Sequence, residues 1–433
     1  MKSLYILAGI ILLSFNSCIE VNNSFDALPP GIWRGTLELD NTPFAVEAEE
    51  VSTKKLLGDV LPFLFELKYN PDNTFFIEII NGEERIKVDD IRYGRDKATA
   101  KDTVYIDFPV YDSYIKAIYE ENIMEGYWYV NYRENYAIPF KAYYGQDHLF
   151  TTNLVAPADD LSGKWAATFE IETEDEYPAV GEFIQSGNSL TGTFLTETGD
   201  YRYLSGQVIG ERMYLSTFDG AHAFLFKGKI SEKDNLVGIF RSGKHYTTDW
   251  IAERDPDASL TNPFELTKML NENEPLDFSF ADTKGNQVTL DDDRFKGKIK
   301  IVQIMGTWCP NCKDETKFLK SYLMDENPGD VVVIAIAFEK YREEEKSMEV
   351  LKRFKAKWDI PYPVLLGGYH EKAEAILSLP MLNKIISYPT LLFVDEDNKV
   401  RKVYTGFSGP ATSGFEQFKK DFYSTLSQLR TES

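Results

Sequence analysis

Along residues 31–150, apolar and polar positions alternate in short runs, among them TFFIEII, TVYIDFPV and EGYWYVNY, with the turn formers NPDN and INGEE between them. Successive side chains on a strand point to opposite faces, so a period of two predicts antiparallel β-structure with one buried face. Residues 160–255 repeat the pattern in GKWAATFEIE, VGEFIQSGNSLTGTFL, AHAFLFKGKI and LVGIFRSGKHY. Both stretches open on Gly-x-Trp, at Gly31–Trp33 and Gly163–Trp165. Both later set a glycine beside an aromatic, at Gly126–Tyr127 and at Gly238 with Phe240. These landmarks predict two copies of one meandering barrel-like or sandwich unit, joined by TTNLVAPADD at 151–160.

After a polar, Pro- and Asn-rich linker at 253–275, with room for one short helix, the pattern changes. KIKIVQIMG (298–306) and VVVIAIAF (331–338) are near-continuous apolar runs, as expected of strands covered on both faces. Between them, CPNCKDETKFLKSYLM reads as a helix with Phe318, Leu319, Tyr322 and Leu323 on one side. EEEKSMEVLKRFKAKW (343–358) reads as a second, turning Met348, Leu351, Phe354 and Trp358 inward. TLLFVDEDNKVRKVYTGF (390–407) predicts a hairpin and GFEQFKKDFYSTLSQL a closing helix. The expectation is multidomain: a β unit at 31–150, another at 160–255, and at 270–433 an α/β domain made of a βαβ unit and an antiparallel pair.

The 433 residues are 43% hydrophobic, enough for several cores. A formal charge of −22 and the lack of Lys/Arg clusters argue against nucleic acid as a partner. Most of the 25 tyrosines fall in the β half, where they read either as a sugar- or peptide-binding surface or as ordinary half-buried sheet residues.

Only three cysteines occur. Residues 1–17 read as an export signal, with Lys2 ahead of the apolar LYILAGIILL (4–13), which is too short to span a bilayer as a mature helix. Cys18 follows directly, and the junction resembles a bacterial lipoprotein lipobox, with Phe15 and Asn16 in place of the more usual residues. Lipidation of Cys18 would remove a stray thiol from an oxidising compartment, and residues 18–30 would be the tether. An ordinary signal peptide with an incidental cysteine is the alternative.

Cys309 and Cys312 remain, three positions apart in IMGTWCPNCKDE, where an apolar strand meets a helix. Zinc sites share the spacing but need four ligands, and none of the four histidines lies near a second cysteine, so no metal is expected. Pro310 suits a first helical turn, which places Cys309 at the helix N-terminus. Unpaired N–H groups and the helix dipole there favour a thiolate, which makes Cys309 the attacking sulfur. Cys312, one turn inside, would resolve the mixed disulfide.

IVQIMGTWCPNC resembles the active-site strand and helix of the thioredoxin fold, and its neighbours resemble the TlpA/ResA branch of extracytoplasmic thiol–disulfide oxidoreductases. PLDFSFADTKGNQVTLDDDRFKGK (275–298) is similar to the entry hairpin of that branch and of peroxiredoxins. Residues 190–226 resemble an extension found ahead of thioredoxin-like domains in Bacteroidetes lipoproteins. The resemblance implies a cis Pro389 facing the disulfide and a Tyr388 backbone that pairs with extended substrate. It adds Trp308 and Pro310 as substrate contacts. It also implies disulfide-containing exported proteins as substrates, a membrane electron donor of the DsbD/CcdA type, no cofactor, and a lipid-anchored place in the bacterial envelope facing the periplasm.

Where thioredoxin proper has a buried aspartate, this chain has Gln303; Glu315 falls where the ResA-like branch has a glutamate. Glu315 reads either as the proton acceptor or store for Cys312, or as a solvated helix residue like Asp314. Pro310–Asn311 lacks the histidine found between the cysteines of the strongly oxidising DsbA, which points to a reductant. The span between thioredoxin and DsbA is about 150 mV, or roughly 7 kcal/mol. A thiol peroxidase is the alternative enzyme, but Val302 and Gly306 occupy the places of the proline and the Thr/Ser of its motif. A ligand-binding lipoprotein working through its β units is the non-enzymatic alternative.

Overall fold

A computed structural model of the chain describes residues 28–39, 59–232 and 234–432. The expected signal at 1–17, Cys18 and most of the tether lie outside them. The first β unit is a nine-stranded antiparallel sheet from Gly31 to Tyr144 whose first strand, Gly31–Glu38, pairs with both Val60–Tyr69 and the last strand, Ala137–Tyr144. Its runs alternate as expected: in Phe75–Asn81, Ile77 and Ile79 are buried between half-buried neighbours. The second unit, Gly163 to Arg254, also has nine strands and closes into a barrel, because Tyr177–Ser186 pairs with Gly163–Phe169 on one side and Ser189–Thr196 on the other.

The paired landmarks do the same work in both units. Gly31 and Gly163 adopt φ of 122° and 111°, a region open to glycine, and each starts a strand. Two residues on, the buried indoles of Trp33 and Trp165 donate to the carbonyls of Pro29 (3.1 Å) and Leu161 (2.9 Å). The units differ in closure. The strands Glu84–Val88 and Ile91–Arg95 sit at opposite ends of the first sheet and do not pair, so that unit is an open half-barrel. Asp89 and Asp90 between them are drawn instead to Lys357 of the C-terminal domain, at 2.8 and 2.7 Å. The open core is stopped by Phe218 of the second unit, whose ring lies 4.5 Å from Phe63 and 5.2 Å from Trp128. Asn81 fixes it in place, donating to the Phe218 carbonyl and accepting from its N–H.

The C-terminal domain has a seven-stranded sheet with Ile299–Met305 at its heart, parallel to Val331–Glu339 and antiparallel to Thr390–Val394. The Pro310–Glu326 and Glu344–Lys357 helices and the hairpin Thr390–Val394/Val400–Thr405 fall where periodicity places them. Within the second helix the buried apolar set is Val350, Leu351 and Phe354; Met348 and Trp358 are only half-buried. Sequence reading missed a third parallel strand, Val364–Tyr369, and the helix Lys372–Ser378. The linker forms the one-turn helix Pro263–Leu266, capped by Asn262.

All three parts meet at Arg202. Its side chain is 2% exposed and pairs with Glu84 of the half-barrel (2.5 Å) and with Asp314 on the Pro310–Glu326 helix. Burial works against its charge, but Asp314, Glu84 and Asp200 outweigh that and keep it charged. Asp314 is therefore a half-buried ion-pair partner and not a solvated residue. Arg202→Met would take away the partner of Glu84 and leave Asp314 only the looser contacts with Lys313 and Lys317 at 3.9 and 4.0 Å, at a cost of about 3–5 kcal/mol. Calorimetry is expected to show one unfolding transition for the wild type and two for this variant, the C-terminal domain separating from the β units. A single transition in both would mean that the apolar contacts alone hold the units together.

Candidate functional site

The Ile299–Met305 strand delivers the chain to a helix that begins at Pro310, whose missing N–H leaves nothing unsatisfied in the first turn. Cys309 is the N-cap. Its sulfur accepts from the Cys312 N–H at 3.3 Å, one of the donors that a helix start leaves without an intrahelical partner. The same sulfur lies 3.4 Å from the Tyr388 carbonyl, and the Tyr388–Pro389 bond is cis. Both cysteines are free thiols; Cys309 is 7% exposed and Cys312 is fully buried. Burial and the adjacent Cys309 push the Cys312 thiol well above its usual pKa, so it keeps its proton unless a base takes it.

Trp308 stands beside them, its indole N–H donating to the Phe338 carbonyl at 2.9 Å and its ring 5.7 Å from that of Tyr388. The Tyr388 hydroxyl donates to the His370 carbonyl at 2.9 Å. The structure thus gathers Trp308, Cys309, Pro310, Cys312, Tyr388 and Pro389 at one end of the central sheet.

Glu315 has no solvated face: it is fully buried. The Gln303 side-chain amide donates to its carboxylate at 2.9 Å and to the Cys312 carbonyl at 3.2 Å, and Thr316 donates to the Gln303 oxygen at 3.1 Å. Burial raises the Glu315 pKa to about 8, against a smaller opposing effect of the Gln303 bond. A second buried carboxylate, Glu339, accepts from the Thr307 N–H (3.0 Å) and hydroxyl (2.7 Å) and so fixes the loop ahead of Trp308. Burial raises its pKa to about 7.

The second β unit reaches into this site. Asn311 donates to the Asp200 carbonyl (3.1 Å), Ser387 to the Thr198 carbonyl (2.6 Å) and the Gly409 N–H to the Asp200 carboxylate (2.8 Å). Gly199 between them passes so close that a Cβ would sit 2.4 Å from the Asn311 amide nitrogen. Thr198, Gly199 and Asp200 therefore cover the helix start and the loop before Pro389. Sequence reading singled out 190–226 as an extension but gave these residues no place at the site.

Residues 271–418 match the Redoxin family profile, and the C-terminal part of the chain is a redoxin domain. The thiol–disulfide oxidoreductase ResA of Bacillus thuringiensis subsp. konkukian is 27% identical over 129 residues, 29% of this chain and 65% of that protein. ResA of Bacillus subtilis is 26% identical over 129 residues, covering 30% and 64%. The chain thus spans a little under two thirds of the length of these relatives. The crystal structure of StoA from Bacillus subtilis aligns with 34% of this chain and 96% of its own at a TM-score of 0.25 and 21% identity.

Glu315 gives a test of burial. Folded, it stays protonated up to a pH of about 8, whereas unfolded it ionises near 4.5. The unfolded state therefore binds fewer protons between those values, and stability falls as pH rises through the window, by up to about 1.4 kcal/mol per unit. Glu315→Gln removes the loss. Its melting temperature relative to wild type is expected to climb from pH 5 to pH 8, and parallel melting curves at all pH values would contradict this.

Proposed function

We propose that this chain, whose C-terminal part is a redoxin domain, is a lipid-anchored thiol–disulfide oxidoreductase of the bacterial envelope that reduces disulfides in exported proteins. The observation that carries the reading is the Cys309 sulfur at a helix N-cap, facing the Tyr388 carbonyl, with a buried Cys312 one turn behind. In the forward reaction the Cys309 thiolate attacks one sulfur of a substrate disulfide; a mixed disulfide forms and the other sulfur leaves as a thiolate that takes up a proton. Cys312 then loses its proton and attacks Cys309. The second substrate thiol is released, two electrons have passed to the substrate, and the chain is left with a Cys309–Cys312 disulfide. An external dithiol, supplied by a membrane donor of the DsbD/CcdA type, returns it to the reduced form.

Glu315 suits the second step. A carboxyl whose pKa lies near neutral pH can both accept and return the proton that Cys312 must lose. Gln303 links the two, bonding to the Cys312 backbone and to the Glu315 carboxylate. Trp308, Pro310, Tyr388 and Pro389 would border the attacked disulfide. The anchor would be acyl chains on Cys18 after removal of residues 1–17, with the dithiol facing the periplasm. Among the described residues, no helix is long and apolar enough to cross a membrane.

Cys312→Ser is expected to accumulate covalent adducts on Cys309, because serine cannot resolve the mixed disulfide. Cys309→Ser is expected to trap none. Adducts should appear on non-reducing gels of the envelope fraction and vanish with dithiothreitol. Equal trapping by both variants would deny Cys309 the attacking role, and failure of the wild type to reduce insulin would end the reductase reading.

A further inference from the structure

Beside Trp308 lies a cavity of about 170 Å³ whose walls come from all three parts of the chain. The half-barrel contributes Trp128, Arg133 and Tyr136, the barrel His245, and the redoxin domain Trp308 and Lys340. The chain carries 69 acidic residues and a charge of −22, yet among the described residues no carboxylate lines this space. It is a cationic hole in an acidic protein.

Neither cation is neutralised. The Lys340 ammonium sits 3.9 Å above the Trp308 ring and 6.0 Å from that of Tyr132, and among the described residues no carboxylate comes within ion-pair distance of it. Arg133 donates to His245 Nε2 at 3.1 Å, while His245 Nδ1 meets the Tyr136 hydroxyl at 3.0 Å. Burial, Arg133 and the other nearby cations lower the His245 pKa to about 4, so the imidazole is neutral and leaves the guanidinium charge uncompensated. Burial and the Arg133 charge likewise lower the Lys340 pKa to about 8. Of the acids nearby, Glu339 holds Thr307 and Asp219 accepts from the Ala221 and His222 N–H groups, while the exposed Glu371 attracts Lys340 without reaching ion-pair distance. Trp128, 2% exposed, adds an indole N–H with no hydrogen-bond partner. Two half-buried cations and a free indole N–H thus line one space with no carboxylate among the described residues, which suits an anion.

We propose that this cleft is the specificity subsite of the reaction, in which Lys340 and Arg133 take a carboxylate attached close to the disulfide that Cys309 attacks. The inference rests on the oxidoreductase reading. Trp308 links the two places, since it immediately precedes Cys309 and its ring carries Lys340. The cavity has room for a carboxylate on a short stem but not for a folded loop. The preferred substrate is therefore a disulfide with an acid a few bonds from sulfur, carried either by a small molecule or by an acidic residue next to a half-cystine. Its carboxylate binds without reacting, while the two electrons pass from the dithiol to the disulfide as above. The three-part wall also gives the β units a task, because the redoxin domain alone supplies only Trp308 and Lys340.

The test compares 3,3′-dithiodipropionate with its uncharged diamide, which keeps the disulfide and the stem. The full chain is expected to reduce the diacid with a kcat/KM at least about tenfold higher, as one charge-assisted contact supplies. Lys340→Gln and Arg133→Gln should bring the ratio towards one by lowering the diacid value alone, while Lys340→Arg keeps the preference. A disulfide peptide with Asp beside the half-cystine, against its Asn counterpart, shows whether a client protein can supply the acid; either source supports the site. Equal turnover of diacid and diamide by the wild type overturns the proposal, as does a Lys340→Gln variant that loses both equally. If no disulfide is reduced, the oxidoreductase reading has failed, and the subsite is judged by calorimetric titration of glutarate into Cys309→Ser. Binding that Lys340→Gln abolishes supports the subsite, and no binding overturns it.

Discussion

A buried guanidinium that must find two carboxylates sets the arrangement of this molecule. Arg202 of the closed barrel is buried, and its charge persists because Glu84 arrives from the half-barrel and Asp314 from the helix that carries Cys312, with Asp200 of its own unit beside them. Such a triad adds little net stability compared with an apolar packing of the same volume, but it is unforgiving of any other arrangement. Sliding one unit past another would strand a charge. The apolar contacts around it, with Phe218 stopping the half-barrel, supply the attraction; the ion triad supplies the register.

That register has chemical consequences. Asp314 sits between Lys313 and Glu315 on the helix capped by Cys309, so anchoring it fixes the helix whose first turn faces the Cys309 sulfur. The hairpin that carries Arg202 also brings Thr198 and Asp200 against Ser387 and Asn311. One loop therefore locks the units together and roofs the dithiol. The opening beside Trp308 is left to the half-barrel and the barrel, which line it with Arg133 and His245.

The local features were legible and the assembly was not. Alternating runs, the paired Gly-x-Trp landmarks, two apolar strands, the Pro310 helix start and the Cys-x-x-Cys spacing each act over a few residues, and each appears where its pattern places it. The strand Val364–Tyr369 was missed because VLLGGY is short and broken by two glycines. Closure of one β unit and not the other is set by partners distant in sequence, such as Phe218 against the open core and Lys357 beside Asp89 and Asp90. Arg202 lies 112 and 118 positions from its partners, and nothing in DYRYL distinguishes it from a surface arginine. The same distance hid the burial of Glu315 and the ion pair of Asp314: helical spacing gives the face a residue occupies, while what covers that face comes from elsewhere in the chain. Cys18 lies outside the described residues and stands on its sequence context alone.

The reducing character proposed for the Cys309–Cys312 pair is the central claim, and it rests on a buried Cys312 that holds its proton and on the absence of a histidine between the cysteines. Both favour the disulfide over a stabilised thiolate form. The decisive measurement is the equilibrium reduction potential of that couple in the full chain, titrated against dithiothreitol and read by thiol alkylation and mass. A single two-electron transition close to the thioredoxin value of about −270 mV is the expected result. A potential near the DsbA value of about −120 mV, or cysteines that never exchange, would contradict it.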